Sequence, residues 1–337
     1  MCVRDINIDR PIYLVVICMG RILPIFLAML VVVSIGGMVV YAKPTWRGNV
    51  DTIYADGIVV QFHERTPEYR IWIPRKNDTA VYIVKFNRII EFIDKDNDGK
   101  FDGSIDEILA HAPLTAHDIW EVTDETITLE DGTTELRVLF NGTAEVLPMS
   151  PGPRIGFAEV AFINHIYDRD TNVSGYIIEG GRELKIDIVI SDWPWSSDES
   201  KLALEIVFAG MFKGKERTPH CYREREQIRY KNVKVHRIRM EGDADYYAEF
   251  RYTEQAQIRN RNRAANCCVN ASDQFKQNSA ITWLVYPHFN GTLVHDPSIY
   301  AGEMGGAVSI LRGYLPIIVA IVIGVVVVVV VLKKIRK

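Results

Sequence analysis

The stretch that decides the fold is "ELKIDIVIS", which spans residues 183–191. From Leu184 to Ile190 every second residue is leucine or isoleucine, and Lys185 and Asp187 lie between them. Successive side chains of a β-strand point to opposite faces, so this alternation is typical of a strand with one apolar and one polar face. The stretch therefore predicts a strand that covers an apolar core.

The same period of two recurs along the middle of the chain. "AEFRY" (248–252) alternates apolar and charged residues, and "TITLEDGTTELRVLF" (126–140) predicts a hairpin that turns at Asp131 and Gly132. "AVYIVKFNRIIEFI" (80–93) is apolar on both faces over much of its length, which predicts a strand covered on both sides. These signals predict a mainly β fold with a β-sandwich-like ectodomain.

Two segments interrupt this pattern. "SIDEILAHA", Ser104–Ala112, predicts one short helix with Ser104 as its N-cap. "LPMSPGPRIG", residues 147–156, carries three prolines and two glycines and marks a possible division between two subdomains. A long loop within one domain explains the same composition, and the sequence leaves both alternatives open.

The C-terminal end contains an uncharged apolar run, Leu315–Leu332. A helix of this length spans roughly 27 Å at ~1.5 Å per residue, close to the thickness of a bilayer's hydrocarbon core, so the run predicts a transmembrane helix. The tail, residues 333–337, is "KKIRK", and the positive-inside rule places it in the cytoplasm. Residues 302–314 include "GEMGG" and predict a juxtamembrane tether.

The N-terminal end contains a second apolar run, Ile22–Tyr41. Small residues before Lys43 suit a signal peptidase, so residues 1–42 predict a cleaved signal peptide. An uncleaved signal anchor is the alternative, because the run is long enough to span a membrane. Met19 is a second candidate for the initiator. We therefore expect an extracellular ectodomain at residues 43–301, on a mature protein that crosses the cell membrane once.

Sequons and cysteines fit an exported domain. Five Asn-x-Ser/Thr sequons predict N-glycosylation. They begin at Asn77, Asn141, Asn172, Asn270 and Asn290. In an oxidising space we expect Cys221 to pair with Cys267 or Cys268, which leaves one thiol over. A soft-metal site at His220 and Cys221 is the alternative, although no paired ligand spacing supports it.

"FIDKDNDGKFDGSIDE", residues 92–107, is a candidate metal loop. Its first three aspartates lie at positions one, three and five of a calcium-binding loop whose sixth position is Gly99, where the chain must turn sharply. Phe101, at position eight, is the expected apolar plug. The candidate ligands are Asp94, Asp96, Asp98, the Lys100 carbonyl, Asp102 and either Asp106 or Glu107.

In this spacing the stretch resembles the DxDxDG calcium loops of EF-hand and dockerin-like proteins. It departs from them because position twelve is Ile105 rather than glutamate and because a strand enters the loop. The resemblance implies one calcium ion, and the two departures indicate that no helix pair opens on binding. Extracellular calcium, at about millimolar levels, fills a site of ~10⁻⁴ to 10⁻³ M, so we expect a structural ion. An acidic turn that binds nothing is the alternative.

Two other stretches have both a structural and a functional interpretation. In "SDWPWSSDES" (191–200), Trp193 and Trp195 either stack on sugar rings or pack into the core. The basic stretch 213–239 either meets anionic lipids and acidic glycans or forms the solvated face of a strand pair.

The overall plan resembles that of single-pass surface proteins of archaea: a leader, a β-rich ectodomain with sequons, a valine-rich anchor and a basic tail. The tether, the sequons and the missing catalytic motifs favour a non-enzymatic envelope protein, for which we expect envelope proteins or surface glycans as partners. The alternative is an anchored extracellular hydrolase or metal enzyme, in which His220, His288 and His295 would converge with carboxylates in one cleft. A net charge of −4 gives no basis for a nucleic-acid partner, and the motifs GxSxG, HExxH and GxGxxG are absent from the sequence.

Overall fold

The computed structural model describes residues 52–55, 57–63, 65–73, 80–116, 118–149, 153–173, 176–212, 220–223, 228–230, 233–241, 246–261, 263–276 and 278–303. These residues form mainly strands, and among them there is no helix that could cross a membrane. The predicted signal or anchor segment (1–42) and transmembrane helix (315–332) lie outside the described residues.

The described residues form antiparallel strands joined mostly by turns and short loops. The strands are β1 (Thr52–Tyr54), β2 (Val59–Phe62), β3 (Glu68–Trp72), β4 (Ala80–Ile93), β5 (Glu107–Pro113), β6 (Trp120–Thr128), β7 (Thr134–Pro148), β8 (Gly156–Tyr167), β9 (Thr171–Val173), β10 (Tyr176–Ile178), β11 (Glu183–Ser191), β12 (Lys201–Phe212), β13 (His220–Arg223), β14 (Ile228–Tyr230), β15 (Val233–Glu241), β16 (Tyr246–Thr253), β17 (Gln255–Asn260), β18 (Arg263–Cys268), β19 (Asn270–Lys276), β20 (Ser279–Tyr286), β21 (Thr292–His295) and β22 (Ser298–Glu303).

Strand pairing arranges most of the strands in two groups. In the first, the order is β1-β2-β3-β4-β12-β20-β19. Strand β4 pairs with β12 along one edge and with both β3 and β5 along the other. In the second, the order is β6-β7-β8-β11, and the far edge of β11 pairs with both β21 and β22. The second group forks here, into β22-β16-β15 and β21-β17-β18. Long β7 joins the groups, because its end also pairs with β5.

Aromatic side chains pack the two groups face to face. Phe86 of β4 stacks on Phe162 of β8 with ring centroids 4.4 Å apart, although these strands are not paired. Tyr69 of β3 meets Phe140 of β7 edge to face at 5.9 Å. One large apolar cluster contains residues of both groups, including the isoleucines of β11. This mainly β arrangement is consistent with the predicted sandwich-like ectodomain.

Strand β4 is covered on both faces near its end, as its sequence predicts. A bulge at Asn87 shifts its register against β12, so the phase of its side chains changes. Ile89 continues the main core, whereas Ile90 and Phe92 join a second cluster on the opposite face. The second cluster lies beside the candidate metal loop.

Other local predictions have mixed outcomes. The predicted hairpin over residues 126–140 is confirmed, and Gly132 adopts a φ of 79° in its turn. The predicted helix at Ser104–Ala112 is wrong: Glu107–Pro113 is β5, which pairs with β4 and buries Ala110 and Ala112. The possible division at 147–156 overlaps the connection between β7 and β8, which pair directly.

Candidate functional site

Three carboxylates converge where the chain leaves β4. Oxygen atoms of Asp94, Asp96 and Asp106 lie within 4.8 Å of one another. The strands bring them together, because Ile93 pairs with Glu107 and the loop between these residues closes on itself. Asp94 follows Ile93 and Asp106 precedes Glu107, so these two aspartates lie close together although the whole loop separates them in sequence.

The loop backbone is held by its own aspartates. Asn97 and Gly99 adopt φ angles of 58° and 79°, which turn the chain back toward Asp94. The amide of Gly99 donates to Asp94 Oδ2 at 2.9 Å. Asp106 accepts from the amides of Lys95 at 3.1 Å and Asp102 at 2.7 Å. These hydrogen bonds fix the positions of Asp94 and Asp106, which lie at the two ends of the loop.

Asp94 is the buried member of the group. Its Oδ2 accepts from Lys201 Nζ at 2.6 Å, whereas its Oδ1 is buried without a hydrogen-bond partner among the described residues. Burial acts to raise the pKa of Asp94, but the hydrogen bonds from Lys201 and Gly99 and the charge of Lys201 together lower it. Asp94 therefore stays ionised, with one oxygen that lacks a donor.

Asp96 is exposed and lies next to Asp94. The amide of Asp98 lowers the pKa of Asp96, but desolvation, a shared hydrogen bond with Asp94 and the charges of Asp98 and Asp94 outweigh this and raise it. Two carboxylates in contact disfavour ionising both. A cation between them would remove that repulsion.

Three of the other predicted ligands, Asp98, Asp102 and Glu107, have contacts outside the carboxylate group. Asp98 accepts from the Lys100 amide at 2.7 Å, and Asp102 accepts from the Ser104 hydroxyl at 2.6 Å. Glu107 makes an exposed ion pair with Lys95 at 2.6 Å. Of the two alternatives for closing the loop, Asp106 lies in the carboxylate group.

The loop is attached to the rest of the domain by side chains far away in sequence. Phe101 packs against Phe92 and Trp283, with ring centroids 5.0 and 5.8 Å apart. From β19, Asn270 Nδ2 donates to the Gly99 carbonyl at 3.0 Å and Ser272 Oγ donates to the Phe101 carbonyl at 2.8 Å. The loop thus covers the second apolar cluster.

The sequons and cysteines stay predictions. Within the described residues the sequon asparagines Asn141, Asn172, Asn270 and Asn290 are all exposed, and Asn77 lies outside those residues. Cys221, Cys267 and Cys268 are unbridged thiols. Burial raises the pKa of the Cys221 thiol to about 12, with a further contribution from Asp273, so this thiol stays protonated.

Two of the histidines named for a hydrolase, His288 and His295, make packing contacts and internal hydrogen bonds in the described part of the chain. His295 is buried, contacts the Tyr286 hydroxyl at 3.0 Å, and has its pKa lowered by burial to about 4. His288 packs its ring against Trp195 at 4.2 Å. The side chain of His220 lies outside the described residues.

His165 is a histidine that sequence reasoning missed. Its Nδ1 lies 2.7 Å from Glu135 and its Nε2 lies 3.4 Å from Asp187. Burial, outweighing the bond to Glu135, lowers its pKa. Part of this contact could be inferred from "ELKIDIVIS", because the polar face of that strand includes Asp187. In the structure, Lys185 of the same face pairs with His165 of β8.

The tryptophan stretch is structural in the described residues. Trp193 is buried in the main core and donates from its indole to Glu91 at 3.2 Å. Trp195 donates to the Phe289 carbonyl at 3.0 Å. These contacts favour the interpretation in which both rings pack against the domain. About half of the basic stretch 213–239, namely residues 213–219, 224–227 and 231–232, lies outside the described residues.

No protein-family model matches this chain, and no similar protein is found among curated proteins.

Proposed function

We propose that this protein is a single-pass, membrane-anchored envelope protein whose extracellular β-rich domain has a structural or binding role and is stabilised by one calcium ion. The observation that carries the metal proposal is the convergence of Asp94, Asp96 and Asp106, together with a buried Asp94 oxygen that has no hydrogen-bond partner among the described residues. The anchored topology is supported by the apolar run at 315–332 with its basic tail, and the leader at 1–42.

The donor set fits a hard cation. Calcium takes about six to eight oxygen ligands and prefers carboxylates, backbone carbonyls and water. The three carboxylates carry three negative charges, and Lys201 balances one of them at Asp94 Oδ2. The remaining Oδ1, with the oxygens of Asp96 and Asp106, would hold the ion, and water would complete its shell. This partial protein shell is typical of a weak site.

A bound ion would act on the fold through the loop. It would neutralise the contact between Asp94 and Asp96 and keep the chain in the conformation that presses Phe101 onto the second cluster. At a calcium concentration a hundredfold above Kd, mass action stabilises the folded state by about 2.7 kcal/mol. This role is structural, which agrees with a surface protein that meets millimolar calcium continuously.

The test is thermal melting of the full-length protein in detergent, with calcium or with a chelator. We expect calcium to raise Tm in the wild type. Asp96→Asn should lose most of that shift, because it removes one charged ligand. The matched control is Glu107→Gln, an adjacent carboxylate outside the group, which should keep the shift. A wild-type Tm that does not respond to millimolar calcium would show that the loop is an acidic turn.

The non-enzymatic role is favoured over the hydrolase by the contacts of the histidines. His288 and His295 are committed to packing and to internal hydrogen bonds. Cell-surface partners of the domain are then envelope proteins or glycans.

A further inference from the structure

The second group of strands forms a cavity where it forks. The two branches separate at Glu254, between β16 and β17, and at Asp296 and Pro297, between β21 and β22. A cavity of about 220 Å³ lies there, between the branches and the β9–β10 hairpin. It is smaller than the ~300–1,000 Å³ of typical drug-sized pockets, so it suits one small ring rather than an extended ligand.

The charged groups of the cavity are already neutralised. Arg251 is bonded to Glu249 at 2.8 Å and lies 3.4 Å from Glu183. Lys185 contacts Asp187 and lies 3.9 Å from Asp296. Because the described carboxylates compensate both cations, the cavity has no excess positive charge to recognise a phosphate or a carboxylate.

The exposed part of the cavity lining consists of planar amides and one carboxylate. Gln255, Gln257 and Asn266 are exposed there, and the Asp296 side chain is 50% exposed. Amides present both donors and acceptors, and a carboxylate accepts from neighbouring hydroxyls. Such a set complements a ligand with several hydroxyl groups that each donate and accept.

Another part of the lining is less polar. It includes Val173, Tyr176 and Ile178 of the hairpin and Val294 of β21, the cross-strand partner of Gln257. Tyr176 is held in place by a hydrogen bond from its hydroxyl to Glu183 at 2.9 Å. An aromatic ring and aliphatic side chains provide a surface on which the C–H face of a sugar ring packs.

We propose that this cavity binds one neutral monosaccharide unit, as a free sugar or as the end of a glycan. The proposal rests on the proposed surface-binding role and names its ligand class, and it does not depend on the calcium ion. Gln255 and Asn266 would contact hydroxyl groups, Asp296 would accept from a vicinal pair, and Tyr176 would face the ring.

The test is saturation-transfer NMR with the full-length protein in a detergent that lacks a sugar headgroup. The probes are glucose, galactose, mannose and N-acetylglucosamine, with glucuronate and acetate as anionic comparisons. We expect at least one neutral sugar to bind, and to bind more tightly than acetate. Binding of acetate or glucuronate alone, or of none of the probes, would overturn the proposal.

Two variants locate the binding. Gln255→Ala with Asn266→Ala should weaken sugar binding by about tenfold for each hydrogen bond lost, whereas Gln274→Ala, an exposed amide on β19, should not change it. Unchanged affinity in the double variant would refute the assignment. The calcium shift in Tm is measured on the same samples, so loss of sugar binding and failure of the calcium proposal are separate results.

Discussion

At the residue scale, Glu91 shows how one buried carboxylate organises a loop. It is fully buried and accepts four hydrogen bonds from the segment between β11 and β12. The donors are the Trp193 indole at 3.2 Å, the Ser196 amide at 2.7 Å, the Ser196 hydroxyl at 3.0 Å and the Ser200 hydroxyl at 2.6 Å. Burying a charge is costly unless it is fully hydrogen-bonded, and here the donors supply that compensation. Glu91 thereby holds Trp193 in the core.

Glu91→Gln should destabilise the domain by about 2–4 kcal/mol. The amide keeps the shape of the side chain but replaces one acceptor oxygen with a donor, which leaves buried donors without a partner. Urea unfolding of the full-length protein, followed by tryptophan fluorescence, measures the loss. Glu121→Gln on β6 is the control, because that side chain is exposed. Equal unfolding midpoints for the two variants would contradict this role.

At the element scale, the bulge in β4 connects the main core to the metal loop. Phe86 pairs with Ile206 and Arg88 with Glu205, so Asn87 is the extra residue on β4. Its side chain donates to Glu205 at 2.6 Å, which stabilises the bulge. After this point the apolar side chains on the outer face begin the second cluster, and the loop completes it with Phe101. A strand and its following loop are thus one packing unit.

Phe101→Ala should cost about 3–5 kcal/mol, the usual penalty for removing a buried phenyl ring. We also expect a smaller calcium shift in Tm, because the loop loses the contact that fixes its conformation. Thermal melting with calcium and with a chelator measures both effects. Ile105→Ala is the control in the same loop, since that side chain is 51% exposed, and it should stay within about 0.5 kcal/mol of the wild type. A Phe101→Ala protein as stable as this control would exclude a structural role for the loop.

At the scale of the whole molecule, the described strands other than β9 and β10, which pair with each other, form one continuous network with two packed faces. Long β7 pairs with β6 and β8 over most of its length and reaches β5 at its end. The outer face of the second group is unusual, because charged residues such as Glu183, Glu249 and Arg251 are buried there. Their mutual ion pairs compensate the burial, and the β9–β10 hairpin contributes Tyr176 to the same network.

The proposed topology predicts the behaviour of intact cells. Protease added outside should remove the ectodomain and leave a short C-terminal fragment that contains residues 315–337. The reason is that the apolar run would keep the basic tail on the cytoplasmic side. Immunoblotting with one antibody to the ectodomain and one to the tail measures this. An ectodomain that survives protease on intact cells, but is cut after lysis, would show that it is not exposed at the cell surface.

Local patterns in the sequence determined the strands and part of the site. Alternation with period two predicts the strands of the hairpin at 126–140 and the strand at residues 183–191. Successive side chains of a strand point to opposite faces, whichever strand pairs with it. The aspartate spacing likewise predicts a turn at Gly99 that brings Asp94 and Asp96 together. Only the tertiary structure placed Asp106 rather than Glu107 in the group, since the pairing of β4 with β5 sets which acid faces inward.

The tertiary structure also decided the contacts between residues far apart in the chain. Strand β5 forms where the sequence predicts a short helix at Ser104–Ala112, because pairing with β4 and β7 outweighs the local helix propensity. Glu91 meets Ser200, and His165 lies between Glu135 and Asp187, through packing that no short window contains. The cavity at the fork arises where two branches of one sheet diverge. Sequence alternation specifies which face of a strand is apolar, whereas strand order and register specify what that face meets.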